Sequence, residues 1–506
     1  MTESGRGDLY VDLTDYPVDP EVVRLLPPKL ARRYMAIPLA HDGERIVVAL
    51  ADPTDLVAVD DIRTVLNSRI RALAATPESL AWALNNWLND DAEAADLVRM
   101  AEEEAPDTVA EVTTATQASE APIIRLVDVM LSEAVQAEAS DIHLEPTRGA
   151  LLIRHRIDGV LREVRRLPRS VAPALLSRIK LLAGMNIAER RVPQDGRIRT
   201  RLLGETLDMR VAALPTVHGE NITIRILHSG RAAVGLDEVG FSEAVLPRYA
   251  ELVRRPHGAV LVTGPTGSGK STTLHATLAS AHDPGKKIFT VEDPIEFEVA
   301  GISQTQVNNT AGMTFARALR AILRSDPDVI LVGEIRDRET AVIALEAALT
   351  GHLVLSTLHT NDAASTPLRL IELGVDPYLV ASSLEGVVAQ RLVRRLCTDC
   401  RAPLWLQGNA RLPAEVTPAG TESGKANAFR AVGCAKCGDS GYRGRIGIQE
   451  LMVVSSRIEK LVADGAGPET IREVALEEGM VPLREAGEDL VSRGITTMEE
   501  IMRVTI

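Results

Sequence analysis

Aromatic residues are scarce in this 506-residue chain: Phe, Trp and Tyr together make up only 3% of it. Packing must therefore rest on Leu, Val, Ile and Ala, and an apolar content of 45% is ordinary for globular domains. Long apolar runs are missing too, since none approaches the roughly 18 residues of a membrane-spanning helix. The opening residues, Met-Thr-Glu-Ser-Gly-Arg-Gly-Asp, have neither the basic nor the apolar segment of a secretory leader. A cytosolic chain is expected. Cysteine is limited to four residues, and a disulfide framework is not expected in that compartment. Basic charge is in deficit, with 56 Lys and Arg against 70 Asp and Glu and a net charge of −14. Composition thus gives no nucleic-acid footprint. Residues 89–120 alone carry −9 of that charge, with Arg99 their only base. Arg190–Arg191 and Arg394–Arg395 are the candidates for a local basic patch and read as solvated or subunit-surface residues.

What the chain does have is Gly264-Pro265-Thr266-Gly267-Ser268-Gly269-Lys270-Ser271, followed by Thr272. This fits the phosphate-loop pattern G-x-x-x-x-G-K-[ST] without a mismatch. Ala259–Thr263 before it reads as a short buried strand, and the residues from Ser271 onward read as a helix. A strand, a glycine loop and a helix N-terminus together make an anion site. Glycines let backbone N–H groups converge on phosphate oxygens, Lys270 would reach the β- and γ-phosphates, and the Ser271 hydroxyl would sit on Mg²⁺. A chance glycine turn is the alternative, and both flanks argue against it.

Length points to about three domains. Residues 1–89 read as a small α/β unit, with strands at Arg45–Leu50 and Ile70–Ala74 and helices at Leu56–Leu66 and Pro77–Leu88. Residues 90–120, rich in Ala, Glu, Asp and Thr, read as a flexible or partly helical linker. Residues 121–232 form a second unit, with helices at Ile123–Ala139 and Ala172–Leu182. Its strands are expected at Leu151–Ile157, before an Asp158-Gly159 turn, and at Thr206–Val211 and Asn221–Leu227. Residues 233–395 alternate strands and helices, as a mostly parallel sheet requires. Strands are expected there at Val260–Thr263, Ile288–Val291, Val329–Val332 and Leu353–Thr357. Residues 396–506 break into a cysteine-bearing loop region, a surface loop within Ala402–Arg430, and helices. No internal repeat is visible.

In the third unit, acidic and imidazole groups fall where strands end. Val329–Val332 closes on Glu334, Ile288–Val291 on Glu292-Asp293-Pro-Ile-Glu296, and Leu353–Thr357 is flanked by His352 and His359. Ligands of α/β sheets bind at those carboxyl edges. Glu292 and Glu334 read as functional. Asp293, Glu296 and Asp362 read as caps or solvated turn residues.

Residues 323–337 (Leu-Arg-Ser-Asp-Pro-Asp-Val-Ile-Leu-Val-Gly-Glu-Ile-Arg-Asp), Thr290–Glu296 and Thr350–Asn361 resemble the signature, aspartate box and histidine box of the hexameric ATPases that drive type II secretion and type IV pilus assembly. Residues 139–146 and Gln194-Asp-Gly-Arg197 match the same family. The resemblance implies a RecA-like phosphate-loop motor domain, preceded by a PAS-like α/β domain and a small N-terminal α/β domain, with a C-terminal zinc-binding helical region. It implies ATP hydrolysis between subunits of a homo-hexamer. Glu292 maps onto the water-activating glutamate, Glu334 onto the residue near Mg²⁺, and His359 onto a γ-phosphate sensor. Arg210 and Arg225 map onto arginines reaching the nucleotide from the second domain, in an arginine-finger role. Arg320 and Arg324 are further candidates. The implied partners are an inner-membrane platform protein and a membrane-anchored recruiting protein, with the membrane reached only through them and no nucleic acid bound.

The four cysteines form two C-x-x-C pairs, Cys397/Cys400 and Cys434/Cys437, separated by 33 residues. Two such pairs suit one tetrahedral Zn²⁺. A redox pair is the rival reading, but neither pair opens a helix in a thioredoxin-like pattern. In the resembled family the tetracysteine accompanies assembly motors and is generally absent from retraction motors. Gln449 stands where the family usually has Tyr. Some relatives bind cyclic-di-GMP through duplicated N-terminal motifs, and no convincing duplication is visible here. The expected function is a cytoplasmic ATP-driven motor of pilin or pseudopilin assembly. A retraction motor, a nucleic-acid translocase and a nucleotide-binding regulatory scaffold without turnover are the alternatives.

Overall fold

The structure, a computed structural model, describes residues 11, 13, 18–23, 25–43, 45–77, 79–80, 83–84, 100, 120–202, 205–228, 235–296, 298–404 and 428–505. These residues divide into two compact units. The first takes in the described part of Met1–Glu133 with Pro146–Leu151 and Leu167–Leu181. The second takes in Ala134–Glu145, Leu152–Arg166 and Leu182–Ile506. The acidic linker expected at 90–120 lies outside the described residues except for Met100 and Glu120.

In the first unit, helices α1 (Pro20–Val23) and α2 (Pro28–Arg33) precede β1 (Ala36–Asp42) and β2 (Arg45–Leu50), then α3 (Leu56–Leu66) and β3 (Arg69–Ala74). The three strands form one sheet in the order β1-β2-β3, with β1 antiparallel and β3 parallel to β2. The parallel pair needs a crossover, and α3 supplies it. Asp55 caps that helix by accepting from the backbone N–H groups of Val57 and Ala58, and Asn67 ends it in the left-handed conformation. Leu26, Ile37, Leu39, Val48, Leu50, Ile62 and Leu80 fill the core beneath the sheet.

Helix α4 (Glu120–Gln136) leads into β4 (Asp141–Pro146), β5 (Ala150–Ile157), β6 (Val160–Pro168), α5 (Ala172–Leu182), β7 (Gln194–Leu202), β8 (Glu205–Thr216) and β9 (Gly219–His228). The strands form a six-stranded sheet in the order β6-β5-β4-β9-β8-β7. The β5–β6 turn falls on Asp158 and Gly159, whose φ values of 49° and 82° are the two positive angles a tight hairpin turn needs.

The largest sheet has seven strands in the order β12-β11-β13-β14-β10-β15-β18. Helix α6 (Val245–Leu252) comes first. Then follow β10 (Gly258–Thr263), α7 (Lys270–Ala281), β11 (Ile288–Glu292), β12 (Ser303–Gln306), α8 (Phe315–Ile322), β13 (Val329–Val332), α9 (Arg338–Leu349) and β14 (Leu353–Leu358). Next come α10 (Thr366–Glu372), α11 (Pro377–Ser383), β15 (Leu384–Leu396), the short pair β16 (Ala402–Pro403) and β17 (Phe429–Arg430), and β18 (Tyr442–Val453). Strands β10 to β15 are parallel, and β18 closes one edge antiparallel to β15. All six residues of β10 are buried, as a strand covered on both faces requires. Ala259 and Leu261 face one core, with Ile330, Val354 and Ala344. Val260 and Val262 face the other, with Leu274, Leu278 and Tyr249.

The chain beyond Leu396 differs from the loop-then-helix expectation. It contributes the edge strand β18, and helices α12 (Ser456–Ala463), α13 (Pro468–Glu477), α14 (Leu483–Ser492) and α15 (Met498–Val504) bury Ile458, Ile471, Leu490 and Ile501 in the same core as β10. Residues 405–427 of the expected surface loop lie outside the described residues.

Candidate functional site

Four adjacent strands end at one edge of the parallel sheet, and each delivers a different group. In spatial order, β11 ends on Glu292, β13 is followed by Gly333 and Glu334, β14 by His359, and β10 by the glycine loop 264–269. This is the edge at which α/β sheets bind ligands.

The loop has the backbone of a phosphate cradle. Gly264, Gly267 and Gly269 have φ values of 146°, 79° and 87°. A Cβ on Gly264 would lie 2.5 Å from the Gln390 carbonyl oxygen, and one on Gly269 would lie 2.8 Å from Gln390 Nε2. A Cβ on Gly267 would meet nothing within 4 Å, so this turn opens outward. Pro265, Thr266 and Gly267 are exposed, Ser268 is buried, and Ser271 and Thr272 are exposed on the first turn of α7. Lys270 Nζ donates to the carbonyls of Gly264 (2.8 Å) and Pro265 (3.0 Å). Burial lowers the Lys270 ammonium to about 8, partly offset by Glu334, so it remains protonated at neutral pH. A fixed cation, open glycine amides and a helix N-terminus fit a nucleotide phosphate chain.

Glu334 is positioned through β14. Ser356 and Thr357 donate to the carbonyls of Val332 and Gly333, and the Ile335 N–H donates to the Thr357 carbonyl. The Glu334 carboxylate meets Arg336 at 2.7 Å and His359 Nε2 at 3.7 Å. His359 is set by a second clamp, onto β10, because Thr360 pairs with Thr263 Oγ1 through both its hydroxyl (2.6 Å) and its N–H (2.8 Å). Ser271 and Glu334 are the residues that could hold Mg²⁺ beside the phosphates.

Glu292 is buried and held by three donors. Thr290 Oγ1 (2.6 Å) and Gln304 Nε2 (3.1 Å) donate to Oε1, and His275 Nε2 lies 3.0 Å from Oε2. Burial alone would raise its pKa, yet these bonds, His275 first, bring it below the ordinary value.

The structure does not gather Arg210 and Arg225 into the same constellation of close contacts. They lie directly opposite one another on β8 and β9. Arg197 on β7 lies opposite Arg210, and Asp141 on β4 lies opposite Arg225. Arg225 Nε donates to Asp141 at 3.0 Å. Burial, and next Arg197, press the Arg210 pKa down, with Glu296 acting against them. Like charges opposite one another destabilise a sheet, and Asp141 offsets this row at the Arg225 end. Arg320 instead pairs with Glu339 at 2.6 Å. Asp362 serves its turn, accepting from the Ser365 N–H and pairing with Arg472. Arg191 pairs with Glu189, and Arg394 with Glu500.

The cysteines converge. All four sulfurs lie within 4.8 Å of one another, with Cys397–Cys434 and Cys400–Cys437 both at 3.9 Å and Cys434–Cys437 at 3.7 Å. Four thiolates at 2.3 Å from a tetrahedral zinc would stand about 3.8 Å apart. The donor set and its spacing both fit Zn²⁺.

Sequence reading missed His275, Gln304, Arg336 and Gln390. His275 gave the clearest signal, as a titratable residue on a helix whose neighbours Leu274 and Leu278 are apolar. Gln390 gave none, since its role depends on β15 lying beside β10.

The model of the type II/IV secretion system protein family matches residues 116–503, and that of the MshEN domain matches residues 9–94. The type IV pilus assembly ATPase PilB of Myxococcus xanthus is 40% identical over 502 residues, covering 97% of this chain and 88% of its own length. The type II secretion system protein HxcR of Pseudomonas aeruginosa is 45% identical over 488 residues, covering 95% and 99%. Among solved structures, the pilus retraction motor PilT with bound ADP is 27% identical with a TM-score of 0.50, covering 75% of this chain and 96% of that one. The chain belongs to the family of type II secretion and type IV pilus assembly ATPases.

Proposed function

We propose that the chain is an ATP-hydrolysing motor for the assembly of pilins or pseudopilins, working as a homo-hexamer at the inner face of the cytoplasmic membrane. The observation that carries this reading is the row of Glu292, Glu334, His359 and the phosphate loop at the ends of four adjacent strands. The loop from Gly264 to Thr272 holds the phosphate chain, with Lys270 on the β- and γ-phosphates. Ser271 and Glu334 would hold Mg²⁺, which neutralises phosphate charge when bound. Glu292 takes the proton of the attacking water as it joins the γ-phosphorus and ADP leaves. His359 senses the γ-phosphate from beside Glu334. Arg210 and Arg225 reach the nucleotide from the second domain and stabilise charge on the transferring phosphoryl group. Cys397, Cys400, Cys434 and Cys437 would hold a structural Zn²⁺, which supplies a local crosslink and no chemistry.

Residues 1–89 and 121–232 are proposed as separate domains before the motor at 233–395, with 396–506 carrying the zinc site. Partners are proposed to be a membrane platform protein and a membrane-anchored recruiter. No helix among the described residues is long and apolar enough to cross a membrane, which is consistent with attachment through partners. The clustered cysteines favour assembly over retraction, and Lys270, Glu292 and Glu334 together disfavour a scaffold without turnover.

The arginine roles are tested in the full-length chain. Arg210→Ala and Arg225→Ala should each lower turnover on the order of 10³-fold with little change in nucleotide affinity. Wild-type turnover in either variant, with rings still formed, would remove that arginine from the site.

A further inference from the structure

The base proposed for water activation has a buried neighbour that the phosphate-loop chemistry leaves unused. His275 lies on α7, five residues after Lys270, and is only 4% exposed. Its Nε2 is 3.0 Å from Glu292 Oε2. An ionised carboxylate only accepts hydrogen bonds, so Nε2 carries the hydrogen and donates.

Counting acceptor sites gives this contact a consequence. A carboxylate has about four, two on each oxygen. Thr290 and Gln304 take both sites on Oε1. His275 takes one on Oε2, leaving the last open site on the same oxygen that the imidazole holds. We infer that His275 is a positioning residue for catalysis: its Nε2–H orients Glu292 so that Oε2 receives the proton of the attacking water. This rests on Glu292 being the base. In the step, the water O–H bond breaks and its proton moves to Oε2. The water oxygen bonds the γ-phosphorus, and the bond from γ-phosphorus to the bridging oxygen breaks toward ADP. His275 keeps its own proton throughout.

Among the described residues, His275 is the titratable group hydrogen-bonded to this carboxylate. Thr290 on β11 and Gln304 on β12 do not titrate. From β13, Gly333 brings backbone, and a Cβ there would lie 3.3 Å from Glu292 Cα. The charged groups farther along are Asp293, Glu296 and Glu334 beyond the strand ends and Lys270 at the start of α7. Without the imidazole donor, burial acts on Glu292 with less opposition, and its pKa must rise.

The test is steady-state ATP turnover of the full-length chain from about pH 5 to about pH 8, with nucleotide affinity measured separately. His275→Leu should lower kcat about tenfold with KM nearly unchanged, and move the acid limb of the profile up by about one pH unit. His275→Gln, which restores an N–H donor, should recover most of the loss and return the limb. Glu292→Gln is the reference. If Glu292→Gln is inactive while His275→Leu keeps the wild-type kcat and limb, the role of His275 is refuted and the base assignment stands. If Glu292→Gln turns over normally, the base assignment fails and this inference falls with it. Equal impairment of the Leu and Gln variants, with nucleotide affinity lost in both, would reduce His275 to a packing residue and refute the inference.

Discussion

The side-chain amide of Gln390 donates to the Ser268 carbonyl at 2.9 Å, and its oxygen accepts from Thr273 Oγ1 at 2.7 Å. One buried residue of β15 thus ties the glycine loop to the helix that follows it. Both bonds are out of water, so their loss leaves polar groups unpaired at about 1–3 kcal/mol each. Gln390→Leu should therefore weaken nucleotide binding about tenfold and leave the turnover of saturated protein within a few-fold. Titration calorimetry beside turnover reads the difference. Unchanged affinity would mean that the loop holds its shape without this brace.

Glu500 gives a pH signature. It is nearly fully buried, and Arg394 Nη2 (2.6 Å) and Arg503 Nη2 (2.8 Å) lie against its carboxylate. Burial alone would raise its pKa, but the two arginines bring it from 4.5 down to about 2. A depressed pKa contributes stability that is complete above the unfolded value and is lost as pH falls through the folded one. Glu500→Gln should cost about 2 kcal/mol at neutral pH, less than a fully buried pair because both arginines are partly exposed. The deficit should shrink from about pH 4.5 downward and vanish near about pH 2. Chemical denaturation across that range measures it. A pH-independent deficit would refute the ion-pair account.

Metal content checks the cysteine cluster. Protein purified under reducing conditions should hold about one zinc per chain. Cys434→Ser should lose it and destabilise the region from Cys397 to Tyr442, because metal binding and local folding are coupled. Elemental analysis and hydrogen exchange report the two effects. Zinc-free protein with full protection there would rule out a structural metal.

The parts of this fold that showed in the sequence are those set by short-range rules. β13 was legible because Val329–Val332 is an apolar run closing on Glu334, and α3 because Leu56–Leu66 carries a helical pattern. β15 and β18 were not. Gln390, Arg391 and Arg394 in β15 serve the loop, the turn at Asn361 and Glu500, so the strand lacks a clean apolar pattern. β18 opens on Tyr-Arg-Gly-Arg, and only pairing with β15 makes it a strand. The site divides in the same way. Lys270, Glu292 and Glu334 sit in local motifs, whereas His275 against Glu292 depends on how α7 packs on β11.

Inorganic phosphate release from ATP by the purified full-length chain, measured beside Lys270→Ala, is the most direct test of the motor assignment. Wild-type protein should release phosphate in a Mg²⁺-dependent manner. Lys270→Ala should lose nearly all of that activity with little change in melting temperature, since among the described residues the ammonium's hydrogen bonds go to the Gly264 and Pro265 carbonyls of its own loop. Equal release by both proteins, or none by correctly folded wild type in its oligomeric form, would contradict the assignment of this chain as an ATP-driven motor.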